Sequence, residues 1–292
     1  MRHTRFVATA GVIALAMGLT ACGSGGKDSP AAKADSAPFG DCVITGEAGS
    51  HPLELIKDGV VTVKADLPSP GWYNGDTVES IKSGFDYCLL ANIAHRGGAK
   101  GLDLQNSSFD GLVAGKSGSF DLTLNQITIT PERTSVMDFS KPYYESTAGV
   151  MVKKGTAMTQ GDLANSHLGV KQGTVGQMLV AKTIKPAKDP SVFPGDPEQQ
   201  AAVAAGRIDA GIQDLSIVLG AAAKSKGALE VVGQIPTNES YGVMMPKGSA
   251  NVKVVNAMLD EMKKDGTLDK LSSAYLTDAY GIDPTTIPVW NF

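Results

Sequence analysis

Apolar positions along the chain change their spacing several times, and each change marks a predicted element. The first apolar run, from Phe6 to Ala21, carries no charge and follows Arg2 and Arg5, which is the layout of an export signal. Residues 23–38 are Gly, Ser, Ala, Lys, Asp and Pro with almost nothing to bury, so they predict a flexible tether. Val60 to Ala65 is β-branched and ends at Asp66 and a Pro/Gly-rich turn, which predicts a strand. Phe85, Cys88, Leu89 and Ile93 then recur at helical spacing until Gly97-Gly98. Leu102 to Leu104, a helical turn from Phe109 to Ala114, and a strand from Phe120 to Leu124 follow.

The alternation resumes further along. Leu168 to Lys171 leads into the turn Gly173-Thr174-Val175-Gly176 and a helix from Gln177 to about Thr183. Asp196 is expected as N-cap, Pro197 as the first helical residue and Gly206 as the stop. Ile208 to Ile212 predicts a strand running into Asp214. Extended stretches at Ala148 to Lys153 and Tyr241 to Met245 look like connections between two lobes. Val252 to Tyr275 is helical with an interruption at Asp265-Gly266. Strands alternating with helices imply an α/β architecture with parallel or mixed sheets.

Composition narrows the function. With 26 Lys and Arg, 30 Asp and Glu and a net charge of −4, the chain carries no basic field for nucleic acid or a membrane surface. Leu19-Thr20-Ala21-Cys22 resembles a bacterial lipobox, so Cys22 is expected to become the lipidated first residue, anchored outside the cytoplasm. Cys42 and Cys88 then remain in a compartment where disulfides persist. A bridge between them is the expectation, with two buried thiols as the alternative. His51, His95 and His167 have no partners at metal-ligand spacing. No metal or other cofactor is expected. Asp110 to Ser117 approaches a phosphate loop, but Asp110 stands where its first glycine belongs.

The chemistry concentrates between Asn125 and Tyr144. Thr130 suits an N-cap and Pro131 the first helical position, which puts Arg133 in the first turn. A cation there opposes the helix dipole, and guanidinium grips a carboxylate through two parallel hydrogen bonds. Thr130-Pro131-Glu132-Arg133 followed by Phe139-Ser140-Lys141-Pro142-Tyr143-Tyr144 resembles the signature of family-3 extracellular solute-binding proteins, the amino-acid receptors of ATP-driven importers. Gly84-Phe85-Asp86, Phe120-Asp121-Leu122, Gly206 to Ala210 and Tyr241-Gly242-Val243 fall in matching order.

The resemblance implies a bilobal periplasmic-binding-protein-like fold, two α/β lobes joined by two hinge strands. The expected division is a signal at 1–21, a tether at 22–41, a first lobe of 42–149 with 244–292, and a second lobe of 150–243. It further implies that Arg133 and Thr128 hold an amino acid's α-carboxylate, with the backbone N–H groups of Thr174 and Val175 across the cleft. The Gln126 carbonyl and Asp214 would take the α-ammonium, and Phe109 and Trp72 would cover the side chain. Asp214 as a plain N-cap of the following helix is the alternative. Ser69 stands where an aromatic is common in the family. Asp66, Lys171, Asn125 and Gln213 would read the side chain. An amide between Lys171 and Asp66 makes glutamine the first choice. Cationic side chains on Asp66, glutamate on Lys171, or a direct Asp66 to Lys171 pair across the cleft remain open. The implied partners are a free amino acid, the permease subunits of an ABC importer, and the membrane through Cys22, for a monomeric receptor. A dehydratase-like enzyme on the same scaffold and an anchored sensor are the alternatives.

Overall fold

The computed structural model describes residues 38–292. The expected signal, tether and Cys22 lie outside the described residues. Strand β1 (Val60–Ala65) pairs in parallel with β2 (Gly101–Asn106), Val61 opposite Leu102 and Val63 opposite Leu104. Helix α1 (Phe85–Arg96) connects them. Its Leu89, Leu90 and Ile93 are fully buried. Beyond β2 come the short helices α2 (Phe109–Val113) and α3 (Pro131–Val136). The expected strand at 120–124 appears as isolated bridges, Leu122 to Val63 in parallel and Thr123 to Met244 antiparallel.

Two long strands run from this first lobe into the second. Strand β3 (Met137–Lys153) and strand β7 (Leu229–Pro246) pair antiparallel, with register slips between Phe139 and Ala148 where they pass from lobe to lobe. The sequence pattern marked only the last part of β3 and the end of β7. Polar residues and Pro142 interrupt the alternation in between, because that stretch serves the seam between lobes and not one sheet face.

Between them the second lobe is built from β4 (Leu168–Lys171), α4 (Val175–Leu179), β5 (Ser191–Phe193), α5 (Asp196–Ala204), β6 (Ala210–Asp214) and α6 (Leu215–Lys224). The sheet order is β5-β4-β6-β3-β7, with β4 parallel to β5 and β6, and β3 antiparallel to β6. Strand alternation sends Val150 and Val152 to one face and Met151 to the other. Asp196 is not the N-cap of α5: Gly195 holds that place and Asp196 is the first helical residue. Its carboxylate is drawn instead to Lys171, at 2.8 Å, and to the Gln213 amide.

Helices α7 (Asn251–Lys264) and α8 (Thr267–Ser272) return to the first lobe, broken at Gly266 with φ 76° as the pattern predicts. After α9 (Asp278–Tyr280) the chain crosses to the second lobe. There Gln234 of β7 donates through its backbone N–H to the Pro288 carbonyl at 2.8 Å and accepts from Trp290 N–H at 2.7 Å. Trp290 is buried among Val150, Val170 and Ile235. Gly233 leaves room for it, since a Cβ there would come within 2.5 Å of the indole. Residues 287–290 thus lie on the second lobe and not the first, because this indole fills the sheet face beside an otherwise open strand edge.

Cys42 and Cys88 are joined by a disulfide, with Cα atoms 5.3 Å apart. It ties the segment before β1 to the buried face of α1 across 46 residues. Replacing both cysteines by serine should lower unfolding stability by about 2–4 kcal/mol, read by denaturant titration. A wild-type midpoint in the double variant would show that the bridge adds nothing to the native fold.

Candidate functional site

Between the lobes lies a narrow cavity, with free space of only about 10 Å³, lined by Phe109, Asn125, Gln126, Thr128 and Arg133 from one side and by Lys171, Thr174, Val175, Gln213, Asp214 and Ile217 from the other. Arg133 reaches it because Thr130 caps α3, accepting from Arg133 N–H at 3.3 Å, with Pro131 in the first turn. The arginine is 6% exposed. Its Nη1 donates to the Thr128 carbonyl at 2.6 Å and its Nη2 crosses to the Gly173 carbonyl at 2.9 Å. Gly173 has φ 76° and lies against Asp110, so the turn needs both the left-handed backbone and the absent side chain. Burial pushes the Arg133 pKa down, and the nearby carboxylates of Asp214 and Glu239 act against that shift.

Lys171, at 4% exposure, is the second buried cation of the cavity lining. Its ammonium lies 2.5 Å from Asp66 of the first lobe and 2.8 Å from Asp196 of its own lobe. Burial opposes its charge, but Asp196 and Asp66 outweigh that and raise its pKa. The Asp66 carboxyl is nevertheless raised: burial acts first, Lys171 opposes, and Asp196 and Asp110 add to the rise. The two shifts share a direction but not a cause: burial lifts Asp66, and the two facing carboxylates lift Lys171. The Phe109 ring stands between the two cations, 5.5 Å from the Arg133 guanidinium and 5.0 Å from the Lys171 ammonium.

Asp214 ends β6 and precedes α6, yet its side chain makes no capping hydrogen bond. Its carboxylate accepts from the Tyr241 hydroxyl of β7. Burial first, then the Glu239 carboxylate, push its pKa far above the usual range. Thr174 caps α4, accepting from Gln177 N–H at 3.1 Å, and its hydroxyl donates to the Lys171 carbonyl at 2.8 Å.

Trp72 is not part of the cavity. It is 1% exposed and packs edge-on against Phe85 and Tyr144, each with centroids 5.2 Å apart, and against Tyr241 at 5.8 Å. The aromatic side chains of both hinge strands recruit it into the seam. Asp66 does not line the cavity; it reaches it through Lys171 and through its backbone N–H, which donates to Asn125 Oδ1 at 2.7 Å. Sequence reasoning missed Glu239, which lies in the polar stretch Thr237 to Ser240 that reads as a loop. It is 3% exposed and accepts from the Thr128 hydroxyl at 2.7 Å.

The arrangement is two lobes meeting on a small, charged cavity with no cluster of metal-ligating side chains among the described residues. The model of the bacterial extracellular solute-binding proteins, family 3, matches residues 60–278. The chain belongs to that family. It is 32% identical over 221 residues to the L-cystine-binding protein TcyJ of Escherichia coli (strain K12), covering 74% of this chain and 80% of that one. It is 30% identical to the ABC transporter glutamine-binding protein GlnH of Bacillus subtilis (strain 168), covering 89% and 92%. Among solved structures, an ancestral arginine-binding protein bound to arginine superposes with a TM-score of 0.68 at 30% identity, covering 74% of this chain and 98% of that one. The bilobal α/β fold of this solute-binding protein is therefore that of the amino-acid-binding proteins. No helix among its described residues is long and apolar enough to cross a membrane.

Asp86, buried below the cavity, has a pKa raised to about 7, chiefly by burial and against the hydrogen bonds of Gln126 and Tyr143. Asp86 and Asp214 both exceed their unfolded value near 3.8. Each therefore costs stability where it must ionise, and that cost is relieved as pH falls through the folded pKa toward the unfolded one. The Tm should rise on going from about pH 8.5 to about pH 5.5, and Asp86→Asn should shrink the rise. A rise of unchanged size in the variant would assign it to other groups.

Proposed function

We propose that this solute-binding protein captures a free polar amino acid by hinge closure and delivers it to the permease of an ABC importer. The observation that carries this reading is the convergence of Arg133 and Thr128 from one lobe with Thr174, Val175 and Asp214 from the other on one cavity. In it, the ligand's α-carboxylate takes the Arg133 N–H now given to the Gly173 carbonyl and the Thr128 hydroxyl now given to Glu239, together with the N–H groups that open α4. The α-ammonium goes to Asp214 and the Gln126 carbonyl. A ligand favours closure only by binding the closed form better than the open one. Here that difference comes from carboxylate and ammonium groups that complete a desolvated set of charges split between lobes. The moving unit is 150–243, with the end of the tail attached to it.

Asp66, Lys171, Asn125 and Gln213 read the side chain. Glutamine suits them, with its amide oxygen toward Lys171 and its amide nitrogen toward Asp66, in place of the direct pair those two residues make. The relatives named for cystine, glutamine and arginine support amino acids as the ligand class. Because those relatives are named as binding proteins, the chain is read as a receptor and not an enzyme.

A thermal-shift screen of residues 39–292, verified ligand-free, against the twenty amino acids tests this directly, since a ligand of the folded state raises its stability. Glutamine should give a large shift. Arg133→Ala should weaken binding by about a hundredfold or more while its ligand-free Tm stays near that of the wild type. Normal affinity in that variant would remove Arg133 from the site, and no shift with any amino acid would remove the ligand class.

The anchor is tested separately. In this reading Cys22 is acylated and holds the protein on the extracytoplasmic face of the membrane. Cys22→Ala should move it from the membrane fraction to the soluble exported fraction. A wild-type distribution would refute lipidation at this cysteine.

A further inference from the structure

Gln126 is the cavity residue whose backbone is out of the ordinary. Its φ is 50°, in the left-handed region that side chains other than glycine avoid. Three other described residues share this feature. Lys185 and Lys226 close helical segments, a usual place for it, and Asn238 tolerates it. Gln126 has no such excuse. It is 5% exposed, it lines the cavity, and among the described residues nothing donates to its carbonyl. A buried carbonyl without a donor is uncommon and points to a missing partner.

Strained backbone persists where its surroundings over-determine it, and here they do. The Gln126 side-chain amide donates to Asp86 Oδ2 at 2.6 Å, and the Gln126 backbone N–H approaches the same oxygen at 3.3 Å. The Ser69 hydroxyl donates to Gln126 Oε1 at 3.0 Å. The other oxygen of Asp86 accepts from the Tyr143 hydroxyl of β3 at 3.0 Å. Asp86 is fully buried in the first turn of α1 and no cation pairs with it among the described residues. Its titratable neighbours are Tyr143 and Tyr73, both held neutral by burial and by Asp86 itself. An unpaired buried carboxylate is expensive, and the bonds to Gln126 are what it accomplishes.

We infer that Asp86 is a positioning residue for ligand recognition: it clamps Gln126 in its left-handed conformation and so presents the Gln126 carbonyl to an ammonium group in the cavity. The inference rests on the amino-acid-binding reading for the identity of that ammonium, but the clamp itself is independent of it. The tests are crystal structures and calorimetric titrations with L-glutamine on the full exported chain and on Asp86→Ala, Asp86→Asn and Gln126→Leu. In Asp86→Ala and in Gln126→Leu, φ at residue 126 should become negative and glutamine affinity should fall roughly tenfold. Asp86→Asn keeps an acceptor toward Gln126 and should keep both the positive φ and most of the affinity. Should Asp86→Ala fail to fold, Gln126→Leu, close in volume but without the amide, decides the question. A positive φ at residue 126 in either clamp-less variant would overturn the inference, as would a negative φ with unchanged glutamine affinity. Failure of the wild type to bind L-glutamine would count against the ligand assignment, and the φ of residue 126 would still decide the clamp.

Discussion

The closed arrangement of the lobes hangs on one guanidinium. Arg133 is almost wholly removed from water, at a helix start whose dipole opposes it, and taking such a charge out of water costs several kcal/mol unless neighbours replace the solvent. Its own lobe supplies one carbonyl, Thr128, and the opposite lobe supplies another, Gly173, while the carboxylates of Asp214 and Glu239 set the sign of the field. The donor that crosses the cleft can reach its acceptor only when the turn after β4 comes up to α2, and a glycine at 173 permits that approach. Closure and the burial of this charge are the same event.

The same logic repeats at Lys171, with Asp66 from across the cleft and Asp196 from its own lobe. One aromatic ring, Phe109, separates the two cations and touches both. Because carboxylates outnumber cations in this interior, several acids are pushed upward by burial and by one another. An ammonium group placed among these acids would relieve that excess.

The hinge explains why the seam is aromatic. Strands β3 and β7 pass between lobes without interruption but with register slips, and they carry Tyr143, Tyr144 and Tyr241 into the gap. Trp72 and Phe85 pack on these rings from the first lobe, while the Tyr241 hydroxyl reaches Asp214 in the second. Tyr143 likewise ties β3 to Asp86 beneath the cavity. The strands that join the lobes are thus bonded directly to Asp214 in the site and to Asp86 beside it.

What the sequence alone determined is what local spacing and end chemistry decide. The strand β1, the helix α1 with its glycine stop, the Thr130 cap that sets Arg133, and the break at Gly266 were all legible, as was the family through its ordered motifs. What only the tertiary structure decided are the relations between segments far apart in the chain. Asp196 satisfies capping chemistry by sequence, but Lys171 competes for its carboxylate and wins. Trp72 has the composition of a pocket wall, but the hinge tyrosines bury it elsewhere. Trp290 crosses to the second lobe because an apolar face and a glycine are waiting there. Glu239 reads as a loop residue, and the left-handed backbone of Gln126 has no sequence signature, since it is imposed by a carboxylate 40 residues earlier in the chain. Side-chain partners across a fold are chosen by burial and by unsatisfied charge, and neither can be summed until the segments are in place.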